Sequence, residues 1–301
     1  MKPISFVIIT YNRPEDALAL AENLSQLEGL ERWVEEVIVV NNKSSVSYKV
    51  LEDFIAAHPE APFRYFLTEE NLGVSRGRNY AIRQSKAPVL VFLDDDALFR
   101  NSDALEGVVR IFEENPAAGI AAFKIYYHST GEMQVNAFPH KRFSERRDWH
   151  HFDTYYFSGA AHAIRREVFE EVGYYPENFF YGMEEYDLSF RALDKGYTIR
   201  YDDRVQVWHK ESPTGRLTPR EKRKGMWLNK VKVAWKYLPL QYFVSVAVTW
   251  GLWYLVKSKG DVGGFLGGWG KIFRVPKEER RRPLGAAARA YLKKVKARLA
   301  Y

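Results

Sequence analysis

The chain has 301 residues, of which 46% are hydrophobic and 28% charged, which excludes a disordered protein and fits one large domain with an appendage or two modest domains. It contains no cysteine, which excludes disulfides, thiolate metal sites and thiol nucleophiles and is typical of a reducing cytoplasm. The net charge of +7 is divided unevenly, because residues 1–215 carry 24 Lys and Arg against 34 Asp and Glu, whereas residues 216–301 carry 21 against 4.

Strand and helix patterns alternate along the first third of the chain, and no signal-peptide pattern precedes the first strand. Strands are predicted at residues 4–10, 37–40, 63–67 and 89–93, and helices at residues 14–27, 48–57 and 74–85. This alternation predicts an α/β fold in which helices cover a mostly parallel sheet.

Three aspartates, Asp94, Asp95 and Asp96, directly follow the apolar residues 89–93. Such an apolar run is typical of a buried parallel strand, and ligands of open α/β sheets bind where the strands end. Adjacent anions are tolerated where a cation neutralises them, and hard divalent cations prefer oxygen ligands. The cluster therefore predicts a divalent metal that holds a phosphorylated ligand, with a solvated acidic turn as the alternative.

The second third of the chain continues the alternation less regularly. Helices are predicted at residues 103–115, 166–172 and 184–195, and strands at residues 119–127, 160–164, 198–201 and 205–208. Gly196 suits the C-terminal end of the helix before it. Residues 128–157 are polar and aromatic with weak periodicity, which favours loops over a cleft.

Seven short stretches, taken in order, resemble the family-2 glycosyltransferases. They are residues 7–13, 39–42, 71–79, 93–96, 158–160 with 165–166, and 184–188, and His209. The resemblance covers residues 1–215 and implies a GT-A fold, a Rossmann-like mixed and mostly parallel sheet with helices on both faces. It also implies that a sugar moves from a nucleotide-diphosphate donor to an acceptor hydroxyl with inversion, as in the rhamnosyltransferases of polysaccharide biosynthesis.

The resemblance implies a metal site at the aspartates. Asp96 is expected to bind the metal directly and Asp94 to contact the ribose or the metal, while Asp95 fits either role. His209 is expected to complete metal or diphosphate binding. The expected cofactor is Mn²⁺ or Mg²⁺, and an imidazole ligand favours Mn²⁺ because Mg²⁺ prefers oxygen.

A carboxylate must take the proton of the acceptor hydroxyl, and three acids open the predicted helix at residues 184–195. These are Glu184, Glu185 and Asp187, although acids in a first helical turn also stabilise the helix dipole. The family often has Glu-Asp where this chain has Glu184 and Glu185. The resemblance implies Glu185 as the base, with Glu184 as the other candidate or an acceptor contact.

Donor and acceptor contacts are also implied by the matching stretches. The donor-binding candidates are Thr10, Asn12, Arg13, Asn41, Arg76, Asn79, Asp94 and Asp95. The family often has an acidic residue where Asn41 stands, so the preferred base stays open. The candidate pocket for the acceptor or sugar comprises Trp149, Ser158, Gly159 and Ala160.

The basic region 216–301 contains residues 237–256, which carry no charged side chain, and a Gly-rich amphipathic stretch at 262–273. Basic amphipathic elements with Trp and Phe lie in the headgroup region of anionic membranes. We therefore predict a helical, peripheral membrane contact that holds the protein at the cytoplasmic face of the plasma membrane, near a glycan or lipid-linked acceptor. A buried helical subdomain, a homodimer interface and a spanning helix are the alternatives.

Three other functions are weighed against a glycosyltransferase. A nucleotidyltransferase that makes a nucleotide sugar usually has a Gly-rich basic loop after its first strand, where this chain has residues 11–14. Nucleic-acid binding by the basic tail is disfavoured by its long uncharged stretch and by the acidic first region. A catalytically dead scaffold is disfavoured by the complete set of acids. No nucleic-acid partner is expected.

Overall fold

The computed structural model describes residues 2–214 and 217–299. Within them nine strands form one sheet: β1 (Ile4–Thr10), β2 (Val34–Asn41), β3 (Phe63–Leu67), β4 (Val89–Asp94), β5 (Ala97–Phe99), β6 (Ala118–Tyr127), β7 (His151–Thr154), β8 (Ala161–Arg165) and β9 (Thr198–His209). The helices of the first 214 residues are α1 (Pro14–Ser25), α2 (Leu30–Trp33), α3 (Lys49–Ala57), α4 (Gly73–Gln84), α5 (Ala104–Glu114), α6 (Phe143–Arg146), α7 (Arg166–Val172) and α8 (Glu184–Lys195).

The strand order is β3-β2-β1-β4-β8-β6-β9-β5, and β7 also pairs with β9. Strands β1 to β4 are parallel, β8 runs antiparallel between β4 and β6, and β9 is parallel to β6. The predicted mostly parallel sheet is therefore confirmed. Strands β1, β4, β6 and β9 all end at one edge of the sheet, where β8 begins, so the polar residues at these points are brought together.

Both faces of the sheet are covered by helices, as predicted. In β1, Phe6 and Ile8 point into the core shared with α1 and α5, whereas Val7 points into the core shared with α4, α7 and α8. Each central strand must therefore be apolar on both sides, which is why its sequence is a continuous hydrophobic run.

Several details differ from the sequence-based expectation, among them the short helix α2, which was not predicted. Residues 198–201 and 205–208 belong to one strand, β9, because the pairing with β6 continues past a register shift: Phe123 pairs with Asp202 and Lys124 with Gln206. The charged residues at this irregularity made the strand look broken. Residues 128–157 contain α6 and β7, and the short strand β5 lies beyond the aspartates; all three are too short to give a periodic signal.

The basic region is helical, with α9 (Pro219–Tyr237), α10 (Leu240–Lys257), α11 (Val262–Ile272), α12 (Val275–Glu278) and α13 (Ala286–Lys294). Helices α9, α10 and α11 pack around the buried Trp227, whose ring stacks 5.6 Å from that of Tyr254 and 5.7 Å from that of Phe265. None of the helices in the described residues combines the length and the apolar character required to cross a membrane. The division of the chain into two domains at residue 215 stays a prediction.

Candidate functional site

A cavity of about 700 Å³ opens at the edge where β1, β4 and β9 end. Its walls include the ends of these strands, the start of β8, the first turn of α8 and three residues of the basic region. The lining residues used below are Thr10, Arg13, Arg78, Asp94, Asp95, Asp96, Gln134, Ser158, Gly159, Ala160, Glu184, Glu185, His209, Lys222 and Met226.

Asp95 is the most constrained of the three aspartates. Its Oδ2 accepts a hydrogen bond of 2.7 Å from the Thr10 hydroxyl, and its Oδ1 accepts one of 2.6 Å from Arg13. Burial raises the pKa of Asp95 to about 7, although the charge of Arg13 opposes this shift. Asp95, Thr10 and Arg13 therefore form an internal network that joins the ends of β1 and β4.

Asp94, Asp96 and His209 form a group suited to a metal ion. One ligand atom from each side chain lies within 4.8 Å of the others, and Nε2 of His209 is 3.4 Å from Oδ1 of Asp96. Burial lowers the pKa of His209, but the hydrogen bond to Asp96 and the charges of Asp94 and Asp96 outweigh it, so the net pKa is raised. The field that favours a proton on Nε2 also favours a metal cation there.

Gln134 fixes which nitrogen of His209 faces the aspartates. The amide nitrogen of Gln134 donates to Oε1 of Glu211 at 3.1 Å, so its amide oxygen is left to accept from Nδ1 of His209 at 3.0 Å. With Nδ1 protonated, the lone pair of a neutral His209 is on Nε2. A partner on the other ring nitrogen is typical of histidines that bind metals.

Arg78 connects the aspartates with the two glutamates at the start of α8. Its Nη2 donates to the Gly159 carbonyl at 2.8 Å and to Asp94 at 3.3 Å. Its Nη1 lies 3.6 Å from Glu184 and 3.7 Å from Glu185. This buried guanidinium thus partly neutralises three acids at once.

The two glutamates share one buried environment but differ in accessibility. The Glu184 side chain is 3% exposed and that of Glu185 is 16% exposed. Burial, reinforced by the charge of Glu185, raises the pKa of Glu184 to about 8. Burial also raises the pKa of Glu185, against the opposing effects of Arg78 and of a hydrogen bond from Glu184. This favours a proton on Glu184 and a carboxylate on Glu185, the more accessible of the two.

Several predicted site residues meet in this cavity. Thr10, Arg13, all three aspartates, His209, Glu184 and Glu185 line it, as do Ser158, Gly159 and Ala160. Asn12 and Asn41 instead organise the turn after β2: Asn12 accepts from the backbone N–H of Ser45, and Asn41 accepts from that of Ser44.

The structure places four other predicted residues away from the cavity lining. Arg76 forms an exposed ion pair with Glu70, and Trp149 packs against Phe152 with its side chain 47% exposed. Asn79 is buried and bonds both backbone groups of Tyr175. Asp187 is buried among Arg191, Lys236 and Tyr237. The last two therefore stabilise the fold around the site.

Some lining residues were missed by sequence reasoning. Arg78 is one of three arginines in α4 and looked like a solvated side chain, although its spacing from Asn79 and Ile82 places it on the buried side. Tyr186 stacks on Tyr156 in the cavity wall, with ring centroids 4.8 Å apart, and only Tyr156 belongs to the aromatic stretch that the sequence offered as a sugar-binding wall. Lys222 and Met226 come from α9, and no signal in the sequence connects that distant helix with the aspartates.

Known proteins share sequence or fold with this chain. The family model for glycosyl transferase family 2 matches residues 5–173. A protein of Haemophilus influenzae is 30% identical over 175 residues, 58% of this chain and 92% of that protein. An O-antigen chain rhamnosyltransferase of Salmonella anatum is 27% identical over 156 residues, but the match spans only 49% of its length.

A solved mannosyltransferase from Pyrobaculum calidifontis, in complex with GDP-Man and Mn²⁺, has a similar fold. The superposition has a TM-score of 0.62 and covers 98% of this chain and 79% of that one, with 17% sequence identity. A likeness at this identity concerns the fold, and it confirms the GT-A architecture expected from the sequence.

Proposed function

Because this chain belongs to glycosyl transferase family 2, we propose that it is a metal-dependent, inverting glycosyltransferase acting on a nucleoside-diphosphate sugar. The observation that carries the proposal is the meeting of two groups in one cavity: a set of metal-binding side chains and the Glu185 carboxylate, joined by Arg78. A donor held at the first group would present its sugar to an acceptor hydroxyl held at the second.

The donor set fits a divalent cation. Asp94 and Asp96 offer carboxylate oxygens, and His209 offers Nε2, which Gln134 leaves as the accepting nitrogen. Such a mixed set suits Mn²⁺ better than Mg²⁺. When bound, the cation would stabilise the negative charge that grows on the departing diphosphate.

We assign the remaining steps to the protein's own residues. Glu185 removes the proton from the acceptor hydroxyl. The acceptor oxygen bonds to the anomeric carbon of the sugar as the bond between that carbon and the diphosphate breaks. Attack from the side opposite the leaving group inverts that carbon. Glu184 retains its proton and orients Glu185, while Arg78 holds both acids at a fixed distance from Asp94.

The floor of the cavity is built of small residues, Ser158, Gly159 and Ala160. We propose that they allow a sugar ring to approach Glu185 closely. Thr10 acts indirectly, because it holds Asp95 and so fixes the backbone from which Asp94 and Asp96 project. Arg13 also holds Asp95, and its guanidinium lies 3.1 Å from Oδ2 of Asp96 as well.

The acceptor and the biological setting are proposals supported by relatives. The Salmonella anatum relative is an O-antigen chain rhamnosyltransferase, and the structural neighbour from Pyrobaculum calidifontis binds GDP-Man. We propose that this chain likewise uses a nucleotide sugar to extend a glycan or lipid-linked acceptor in cell-surface polysaccharide synthesis, at the cytoplasmic face of the membrane.

A thermal-shift screen of nucleoside diphosphates with Mn²⁺ or Mg²⁺ tests the donor site. A ligand at about 100 times its Kd stabilises the fold by about 2.7 kcal/mol, which raises the Tm. Because the metal would hold the diphosphate, the correct nucleotide should raise the Tm only when metal is present. Asp96→Asn should abolish this shift. Equal stabilisation by all nucleotides in the presence of a chelator would contradict the metal site.

Glu185→Gln tests the proposed base. This variant should keep the nucleotide-dependent thermal shift but lose sugar transfer, because an amide cannot take the acceptor proton. Glu177→Gln, on the surface and paired with Arg83, is the matched control and should retain both. Full transfer by Glu185→Gln would exclude Glu185 as the base, and retention of the donor's anomeric configuration in the product would exclude inversion.

A further inference from the structure

Helix α10 exposes an apolar stripe. Leu240, Val244, Val248, Leu252 and Val256 recur every fourth residue, and their side chains are between 43% and 74% exposed. The opposite side of the same helix is also apolar, but Val246, Ala247, Gly251 and Tyr254 are buried against neighbouring helices. The packing of α10 therefore explains only half of its apolar residues.

The next helix extends the exposed stripe. Helix α11 packs against α10 and exposes Val262 and Leu266, and Phe273 follows at its end with 73% of its side chain exposed. Residues 240–273 hold nine of the sixteen large apolar side chains that are exposed in the described part of the chain. Eight of these nine, namely the five residues of the α10 stripe together with Val262, Leu266 and Phe273, are called the apolar face. The ninth is Trp253. Clustering of this kind marks an interaction surface.

The charged side chains that flank the apolar face along the chain are mainly positive. Residues 222–260 contain no Asp or Glu. The exposed Lys257 and Lys259 follow the stripe of α10, and the exposed Lys271 and Arg274 lie on either side of Phe273. The nearest acid along the chain, Asp261, accepts hydrogen bonds from Tyr254 and from the backbone of Gly264.

We infer that the apolar face lies flat on an anionic phospholipid bilayer, with its aliphatic side chains among the acyl chains and the four cations at the headgroups. Exposed apolar residues rimmed by Lys and Arg are suited to this plane. The charges argue against a second copy of this chain as the occupant, because two such faces would bring their lysines together. The contact adds to the proposed function the surface that would bind the membrane, and it does not depend on sugar transfer.

One helix connects the apolar face with the cavity. Met226 of α9 lines the cavity, and the next residue, Trp227, is enclosed between α10 and α11. The bilayer contact would therefore hold the cavity at a fixed height above the lipid. If the proposed function is correct, an acceptor carried by the same bilayer would reach Glu185 without leaving it.

Flotation with lipid vesicles tests the inference. The purified protein, without metal or nucleotide, is mixed with vesicles of phosphatidylcholine alone or with phosphatidylglycerol, and we expect it to float only with the anionic ones. Leu252→Glu with Leu266→Glu should lower the partition coefficient by at least about a hundredfold, because two inserted side chains are lost and two anions added. Val50→Glu with Leu67→Glu, at exposed apolar residues of α3 and β3, is the matched control and should float normally.

A second variant tests the cations. Replacing Lys257, Lys259, Lys271 and Arg274 by Gln should weaken binding about fivefold for each charge removed. Flotation that is absent for the natural sequence, or unchanged in both variants, would overturn the inference. A molar mass of twice 35.1 kDa in solution that Leu252→Glu with Leu266→Glu abolishes would assign the face to a dimer instead. The nucleotide-dependent thermal shift is measured without vesicles. A missing thermal shift would therefore count against the donor site, and missing flotation against the bilayer contact.

Discussion

Gly159 lies so close to the Glu185 carboxylate that a methyl group added to Gly159 would stand 2.2 Å from Oε1 of Glu185. The carbonyl of the same glycine accepts a hydrogen bond of 2.8 Å from Arg78. The turn before β8 therefore fixes one side of the space in which this carboxylate moves, and the arginine fixes the other.

Gly159→Ala should reduce kcat at least tenfold with little loss of stability. The added methyl group meets the end of a flexible side chain, which can turn away, but Glu185 would then leave its place beside Arg78. Steady-state kinetics and thermal unfolding measure the two effects. Gly270→Ala is the control, because nothing lies within 4 Å of its added methyl group. Unchanged kcat in Gly159→Ala would show that the carboxylate need not occupy this space.

Glu184→Gln should change how stability depends on pH. The fold raises the pKa of Glu184 to about 8, above the 4.5 of a free side chain, so the folded protein keeps a proton that the unfolded chain loses between these values. The free energy of unfolding of the natural protein should therefore fall as pH rises through this window. Glu184→Gln lacks this contribution, so its stability relative to the natural protein should be greater at pH 8 than at pH 5.

Urea denaturation of both proteins at the two pH values, without metal or nucleotide, measures this difference. Groups with shifted pKa values that do not influence Glu184, such as Asp95 and Lys230, contribute to each curve and cancel when the two proteins are compared. The stability of Glu177→Gln, a change at an exposed residue, should depend on pH in the same way as that of the natural protein. A constant difference between Glu184→Gln and the natural protein would show that Glu184 ionises normally.

The sequence was sufficient to predict most of the sheet and the edge at which the site lies. The residue pattern predicts β1 and β3 to the residue, because β1 is a largely apolar run and β3 is rich in aromatic residues, and polar turns bound both. The sequence also predicts that Asp94, Asp95, Asp96 and Glu185 lie at one edge of the sheet. Short elements such as β5 and β7 were not predicted, because three or four residues are too few to show a hydrophobic period.

Individual side-chain roles were harder to predict because they depend on contacts between distant segments. Asn79 and Arg76 were donor-binding candidates and Arg78 was not, yet of the three only Arg78 reaches Asp94 and Gly159. Trp149 belongs to an aromatic stretch that looked like a sugar-binding wall, but its ring packs on Arg146 and Phe152 outside the cavity lining. Separations of 81 residues, as between Arg78 and Gly159, leave no local pattern.

Gln134→Leu should weaken Mn²⁺ binding about 10- to 100-fold without replacing any ligand atom, because Nδ1 of His209 would lose the partner that fixes its protonation. Electron paramagnetic resonance titration of free Mn²⁺ measures the affinity. Gln206→Leu, three residues before His209 in β9, removes a glutamine whose amide contacts Asp203 and Arg100, and should leave the affinity unchanged. Equal affinities in all three proteins would mean that Gln134 does not prepare His209 for the ion.

Asp187→Asn should destabilise the fold while leaving kcat largely intact. Asp187 is buried; it accepts hydrogen bonds of 2.8 Å from Arg191 and from the Tyr237 hydroxyl and pairs with Lys236, so it joins α8 to α9. Removing one partner from a buried ion pair costs about 3–5 kcal/mol, because the remaining charges stay buried without compensation.

Urea denaturation, together with kcat measured where both proteins are folded, separates this role from catalysis. Asp53→Asn, at an exposed carboxylate paired with Lys49, is the control and should change stability by less than about 0.5 kcal/mol. Asp187 was one of three acids that the sequence offered as a base, and its place behind the cavity lining favours a structural role. A collapse of kcat at unchanged stability would reverse that assignment and make Asp187, rather than Glu185, the acid to examine in the transfer step.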